Sequence, residues 1–342
     1  MAISNDLLSS TLYSIRDGEV DELFQKVAFL DNAKRYGGIE YEDGGIKIQR
    51  PLSIAEHSQI TNLPTGYEAV NLAVKDVLQP AIYEWADFTA PIVITKKEEL
   101  ENKGEKAIVK IVEARMRSVM GMLRRELNKQ LLRGNSTVLT TVNTLNGDAS
   151  ANGFLEAETK ANQNNTVGGI SKTTYPVNGW LNQVADIQAD FGNNGILGMQ
   201  QMAIQANTVT HMGEIQCVLL SEAAMANYRR ALFQQERYIN EKTLDGGRMQ
   251  LAFGGAVVEQ DLELGFNYTS ASFNGGVAAP LSGYFLNFDG VKLCMHKDAD
   301  FAVSPFEHIS GTTARAAQLY VKMQLIADHL GSCGVLFDGD KF

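Results

Sequence analysis

The residue types that carry out chemistry are present in this chain, but their spacing fits no catalytic or ligand-binding pattern. His57, His211, His296, His308 and His329 stand far apart. No HExxH pair places two imidazoles on one helix face to hold a metal. No serine lies in a GxSxG turn and no GxGxxG occurs, which argues against a nucleophile elbow and a dinucleotide fold. Gly168-Gly169-Ile170-Ser171-Lys172-Thr173 comes nearest to a phosphate-binding loop. Ser171 takes the place of the glycine that precedes lysine in such loops, so the segment reads as a flexible loop. Asp338-Gly339-Asp340 reads as a C-terminal turn, although its carboxylates are of the type that touches cations. Cys217, Cys294 and Cys333 are odd in number and lack a CxxC, which disfavours a disulfide framework or zinc site. They read as small buried hydrophobes. The expectation is no catalytic residue, no cofactor and no metal.

The bulk properties point the same way. The chain has 342 residues, 44% hydrophobic and 20% charged, enough apolar material for one large or two modest folded domains. Its formal net charge is −10, so on average it repels phosphate, whereas a DNA-binding domain uses Lys and Arg to neutralise it. That balance disfavours a nucleic-acid binder and suits a container that must not stick to its contents. The first 20 residues lack a basic stretch followed by an apolar one, and no apolar run approaches the roughly 20 residues of a membrane span. A protein made and kept in a cytoplasm is expected.

The elements that would position any function follow from periodicity. Residues 1–38 read as a polar arm with one helix, in which Val20, Leu23, Phe24, Val27 and Leu30 form a single apolar stripe before Gly37-Gly38. With no domain beside it, such a stripe is expected to dock on another molecule. Residues 39–97 alternate as strands and are punctuated by Gly44, Gly45, Pro51, Pro64, Gly66, Pro80 and Pro91. Few large hydrophobes cluster there, so a two-stranded excursion is expected, and such a ribbon is marginal unless it lies on something else. Residues 98–185 open with a long helix, Glu98 to Leu132, carrying acids at its start and bases at its end. Gly104 marks its true start or a kink. Residues 186–310 mix helices with short strands, including Ile215–Leu220 followed by Ser221 as an N-cap. In residues 311–342 a long strand from Gln318 to Leu330 leads to a last one at Val335-Leu336-Phe337. The fold class expected is α+β.

The order and texture of these pieces resemble the major capsid proteins of tailed double-stranded DNA bacteriophages with the Hong Kong 97-type fold. The resemblance rests on Gly44-Gly45-Ile46-Lys47-Ile48 with Pro51-Leu52, Tyr83-Glu84-Trp85, and Pro91-Ile92-Val93-Ile94. It continues through Glu98, Asn102 and Gly104 into the helix ending at Arg133-Gly134-Asn135. Val218-Leu219-Leu220-Ser221, Tyr228-Arg229, Gly254-Gly255-Ala256-Val257-Val258, Pro280-Leu281 and Tyr284-Phe285-Leu286-Asn287-Phe288 complete it. It implies an N-arm at 1–38, an E-loop β-hairpin at 39–97 and a P domain with a spine helix at 98–185. A compact A domain at 186–310 follows, and the strands of 311–342 return to the P domain. It also implies pentamers and hexamers closing into an icosahedral virion capsid around packaged DNA, without sequence-specific binding or a membrane, assembled in the host cytoplasm. A separate scaffolding protein is expected, because only about 38 residues precede the excursion; a portal and a decoration protein are further partners. An encapsulin-like nanocompartment shell is the alternative within the fold, and an uncharacterised enzyme in the A-like domain is the alternative outside it.

Several residues are candidates for contacts between subunits. Lys47, Arg50 and Glu56 are either ordinary surface charges or ion pairs across a subunit boundary. Tyr83, Trp85 and Phe88 serve strand packing, anchoring onto a neighbour, or both. Arg115, Arg117, Arg124, Arg125, Lys129 and Arg133 form a basic face on the long helix. That face is either solvated and complementary to the helix dipole, or paired with acids of a neighbour or with the genome. Some members of the resembled family form a Lys–Asn cross-link between E-loop and P domain. No lysine occurs between Lys47 and Lys75, so none is expected from the tip of the excursion.

Overall fold

The computed structural model describes residues 27–54, 66, 77–101, 105–133, 138–142, 145, 166–172, 180–186, 191–210, 214–234, 242–243, 249–261, 264 and 281–337. Two main β-sheets and one long helix organise them.

The chain enters the described region as helix α1 (Ala28–Arg35), followed by strand β1 (Ile39–Glu42). Among the described residues, strands β2 (Lys47–Ser53) and β3 (Leu78–Glu84) pair only with each other. Strand β4 (Ala86–Thr95) leads into the short helix α2 (Lys96–Glu101) and then α3 (Glu105–Arg133), a 29-residue rod of about 44 Å. The helix expected from Glu98 to Leu132 is covered by α2 and α3, and Gly104 lies outside the described residues.

A small hairpin follows, β5 (Thr166–Val167) and β6 (Ile170–Ser171). Next come β7 (Gln183–Asp186), α4 (Phe191–Thr210), β8 (Cys217–Leu220) and α5 (Glu222–Gln234). Strands β9 (Lys242–Thr243), β10 (Met249–Phe253), β11 (Ala256–Gln260) and β12 (Leu281–Leu286) complete that part. The chain then runs through β13 (Val291–His296), β14 (Ala302–Val303), β15 (Glu307–His308), β16 (Ala314–Ala327) and β17 (Gly334–Phe337).

The seven-stranded sheet has the order β7-β17-β12-β8-β11-β10-β9. Its centre, β8, is buried at all four residues, as its unbroken Cys-Val-Leu-Leu run requires. Helices α4 and α5 cover one face through Met199, Met202, Met225 and Tyr228. Ser221 caps α5, its Oγ accepting from the Ala224 N–H at 3.3 Å.

The other sheet is built on β16. Strands β13, β14 and β15 lie in turn along one edge of it, and β4 lies along the other from Ala86 to Thr95. β1 adds in parallel to β13. Ile92, Ile94, Leu319 and Val321 share a core with Met116, Met120 and Leu127 of α3.

Three expectations change. The arm helix was expected to dock on another molecule, yet its described part is core: Phe29, Leu30 and Ala33 are buried in their own chain. Phe29 tilts against Phe288 at 5.7 Å and Tyr36 stacks on it at 6.2 Å. Gly38 lets the backbone close in, since a Cβ there would lie 2.8 Å from the Phe288 ring. Val20, Leu23 and Phe24 lie outside the described residues. Second, β1 and β4, at the two ends of segment 39–97, belong to the β16 sheet, so only β2 and β3 stand apart from it. Third, residues 311–342 do not return to one place, for β17 inserts between β7 and β12 of the seven-stranded sheet. No helix among the described residues is long and apolar enough to cross a membrane.

Candidate assembly surfaces

The β2–β3 ribbon has two unlike faces because side chains alternate along each strand. Ile48, Leu52, Ala81 and Tyr83 are buried. Lys47, Gln49, Pro51, Ser53, Leu78, Pro80, Ile82 and Glu84 are exposed on the opposite face. Pro51 lies opposite Pro80. Ile82, two positions from Pro80, sends its N–H away from β2 to the Gly168 carbonyl at 2.8 Å. Pro80 therefore sits where an N–H would also point outward, and no ladder bond is lost. The two rings remove donors from the free edges, which discourages indiscriminate strand pairing.

The base of the ribbon is fixed to the body. The Tyr83 hydroxyl donates to the Ala327 carbonyl and accepts from the Ala327 N–H, both at 3.2 Å. Burial raises the Tyr83 pKa, so the hydroxyl keeps its proton. Trp85 Nε1 donates to the Gly45 carbonyl at 3.0 Å, with the His296 ring at its edge and the Lys322 ammonium 5.8 Å from its centre. Gln324 is a buried clamp: Nε2 donates to the carbonyls of Glu84 at 2.6 Å and Val138 at 2.8 Å, and Oε1 accepts from the Thr140 N–H at 2.8 Å. Arg50 sits among Glu40, Glu42 and Asp328, and Lys292 Nζ lies 2.6 Å from Glu40 and 3.5 Å from Asp328. Arg50 Nε and Nη2 make no aligned hydrogen bond, so it acts there by charge.

The glycine loop at 168–169 belongs to this base. Gly168 and Gly169 have φ of +58° and +79°, the two consecutive positive values that a two-residue hairpin turn prefers. A Cβ on Gly168 would lie 2.8 Å from Ala81 Cβ and 2.9 Å from Tyr83 Cζ, so the turn presses directly on β3. Lys172 is buried, donating to the Leu145 carbonyl at 2.8 Å and Asn182 Oδ1 at 2.9 Å. Trp180 Nε1 donates to the Ile170 carbonyl at 3.2 Å. The loop is therefore a structural support, and its lysine is held by protein oxygens.

The candidate residues divide by location. Lys47 Nζ pairs with Glu84 at 2.8 Å across the ribbon, and both are exposed. Arg50 is engaged within its own chain, and Glu56 lies outside the described residues. Tyr83 and Trp85 fill the packing role, at 3% and 8% exposure, while Phe88 is half-buried against the same core. On α3, Arg115 pairs with Glu98, Arg124 is half-buried, and Arg117, Arg125 and Lys129 are exposed. The side chain of Arg133 is outside the described set. Gln324 was not singled out from the sequence, and Gly168 and Lys172, expected in a flexible loop, instead form a packed turn and a buried, fully engaged lysine. A glutamine within an otherwise apolar stretch of a long strand was the one available signal.

A second exposed surface lies on the β16 sheet, on the side away from α3. Asp87, Thr89, Pro91 and Val93 of β4 stand there beside Ala316, Gln318, Tyr320 and Lys322 of β16. The Tyr320 hydroxyl donates to Asp87 Oδ1 at 2.8 Å, which raises the Tyr320 pKa. Among the described residues no three His, Cys, Asp or Glu gather as a metal site. Burial pushes the Cys294 and Cys333 thiols up to about 12 and about 11, which keeps both protonated and unreactive.

No protein-family model and no curated protein matches the chain. Solved structures do match over nearly its whole length. A chain of the cyanophage A-1(L) capsid asymmetric unit aligns with a TM-score of 0.60 at 14% identity, covering 92% of each chain. The holo-SrpI encapsulin complex from Synechococcus elongatus PCC 7942 gives 0.54 at 9% identity, covering 89% of this chain and 86% of that one. The capsid of an empty GTA particle gives 0.54 at 10%, covering 90% and 89%. The chain has the α+β fold of these shell proteins, the Hong Kong 97-type fold that the sequence resembled.

Proposed function

We propose that this protein is the major capsid protein of a tailed bacteriophage, and that it assembles as pentamers and hexamers into a closed icosahedral shell around double-stranded DNA. The observation that carries the reading is the β2–β3 ribbon. Its base is anchored by Tyr83, Trp85 and Gln324, while its outer face leaves Leu78 60% and Ile82 40% exposed beside two prolines. A ribbon fixed at its root, with Pro51, Leu78, Pro80 and Ile82 exposed on its outer face, gains stability by lying on a second subunit. The open face of the neighbour's β16 sheet, with Pro91 and Val93, is the surface offered to it. Each such contact is modest, and symmetric closure multiplies them.

In this reading the segments 1–38, 39–97, 98–185 and 186–310 act as N-arm, E-loop, P domain and A domain. Lys47 and Glu56 set the register of the E-loop on its neighbour. Arg117, Arg125 and Lys129 meet acids of an adjoining subunit or the genome. The net charge of −10 keeps the wall from binding DNA tightly. A separate scaffolding protein, a portal and a decoration protein are the expected partners, in a host cytoplasm. The encapsulin likeness supports a second reading, a nanocompartment shell that takes protein cargo in place of DNA. Particles purified from the producing cell distinguish the two, by containing nucleic acid or a protein cargo.

Deleting residues 54–70 tests the ribbon's role. The expected product is soluble, folded and no larger than a capsomer, with closed shells abolished in electron micrographs. Normal shells from the deletion would overturn the assignment.

A further inference from the structure

We infer that the outer ridge of α3 is a contact for the phosphate backbone of nucleic acid on the inner wall of the shell. The inference rests on the shell reading above and fixes one partner for these bases. Met116, Met120 and Leu127 pack α3 against the β16 sheet, and its far side turns outward. There Arg117, Gly121, Arg125 and Lys129 follow one another at i, i+4, i+8 and i+12, and all four are exposed. Successive positions on this ridge stand about 6 Å apart along the axis. From Ala114 to Leu132 five bases stand against one acid, Glu126, in a chain whose net charge is −10. The ridge is therefore a local exception to the acidity of the whole.

Gly121 is an independent observation. Glycine inside a helix costs stability, and it is kept where another group must come close to the backbone. A Cβ at Gly121 would meet nothing within 4 Å, so no packing among the described residues calls for it. It opens a gap in a row of cations. A polymer can settle there close to the helix, with Arg117 on one side and Arg125 and Lys129 on the other.

The chemistry of the ridge selects the polymer. A protein partner is held by apolar and aromatic anchors. Among the described large hydrophobics of α3 only Met122 is well exposed, at 73%. The helix has no aromatic residue on which a base could stack. What it offers is charge at regular spacing, with the exposed Ser118 hydroxyl beside it, which suits phosphates and reads no sequence. Its position agrees. The neighbour's ribbon is assigned to the face of the β16 sheet away from α3, so α3 lies on the opposite side of the wall.

The test is fluorescence anisotropy of a labelled DNA duplex with the unassembled full chain. Binding should be weak, alike for two unrelated sequences, and should fall with salt at a logarithmic slope of roughly −2.7, about −0.9 for each of three phosphates. Arg117→Gln with Arg125→Gln and Lys129→Gln should lower affinity at least tenfold and flatten that slope, with the thermal midpoint kept and closed shells still forming. Gly121→Gln should raise the thermal midpoint yet weaken binding several-fold with every charge in place. Ser118→Cys should react with a bulky polymer maleimide in the unassembled chain and not in closed shells; the described native cysteines are all buried. DNA affinity unchanged by the triple variant, tighter binding of polyglutamate than of DNA, or labelling of Ser118→Cys in closed shells would overturn the inference and leave the shell reading standing. A parent chain that never forms shells would sink both.

Discussion

Tyr83 concentrates what a single residue does in this fold. Its hydroxyl both donates to and accepts from the backbone of Ala327, at the point where the ribbon meets the long strand β16. Tyr83→Phe removes both bonds and leaves a buried N–H without its acceptor, a loss of about 1–3 kcal/mol. Urea denaturation of the disassembled chain should show that loss as a lower midpoint at unchanged slope. An unchanged midpoint would mean that the ribbon is held by other groups. At this scale the sequence was partly legible. Ser221 was identifiable as a cap because its partner, Ala224, is three residues away. Gln324 was not, because its partners Glu84, Val138 and Thr140 lie more than 180 residues distant and only the folded chain brings them together. Lys172 looked like part of a failed phosphate loop for the same reason, its acceptors Leu145 and Asn182 being set by tertiary packing.

Among the elements, the junction of β4 with α2 responds to pH. Thr95 and Glu98 form a capping box: Glu98 Oε2 accepts from the Thr95 N–H at 3.0 Å and from its hydroxyl at 2.8 Å, and Arg115 of α3 reaches Glu98 from the next helix. The Thr95 backbone and side-chain hydrogen bonds, then Arg115, hold the Glu98 carboxyl below its usual range. A depressed carboxylate contributes stability that is present above its unfolded pKa of about 4.3 and is lost as pH falls through the folded value. The chain should therefore lose stability on acidification below about pH 4, and Glu98→Gln should show a smaller acid-dependent drop in thermal midpoint. Identical acid profiles for the two would contradict this. The acids at the start of the long helix were legible from sequence, while Gly104 stood for either a start or a kink. The alternation of 39–97 correctly gave strands. It did not show that β4 pairs with residues 314–323, because periodicity sets a strand's faces and not its partner.

For the whole molecule, the fold class was legible because order and texture survive where identity does not, at 9–14% against shells of the same fold. The described end of the arm shows the physical limit of periodicity. Of its apolar stripe, Val27 and Leu30 are buried in their own chain, and a stripe announces burial without saying in which chain. In the proposed reading, other subunits meet the outer face of the ribbon and the open face of the β16 sheet. The central claim is closure. Electron microscopy of the overexpressed chain, alone and with the products of its neighbouring genes, tests it most directly. The account predicts hollow, closed particles of uniform diameter built from five- and six-fold clusters. A chain that stays monomeric at high concentration in both preparations would contradict it.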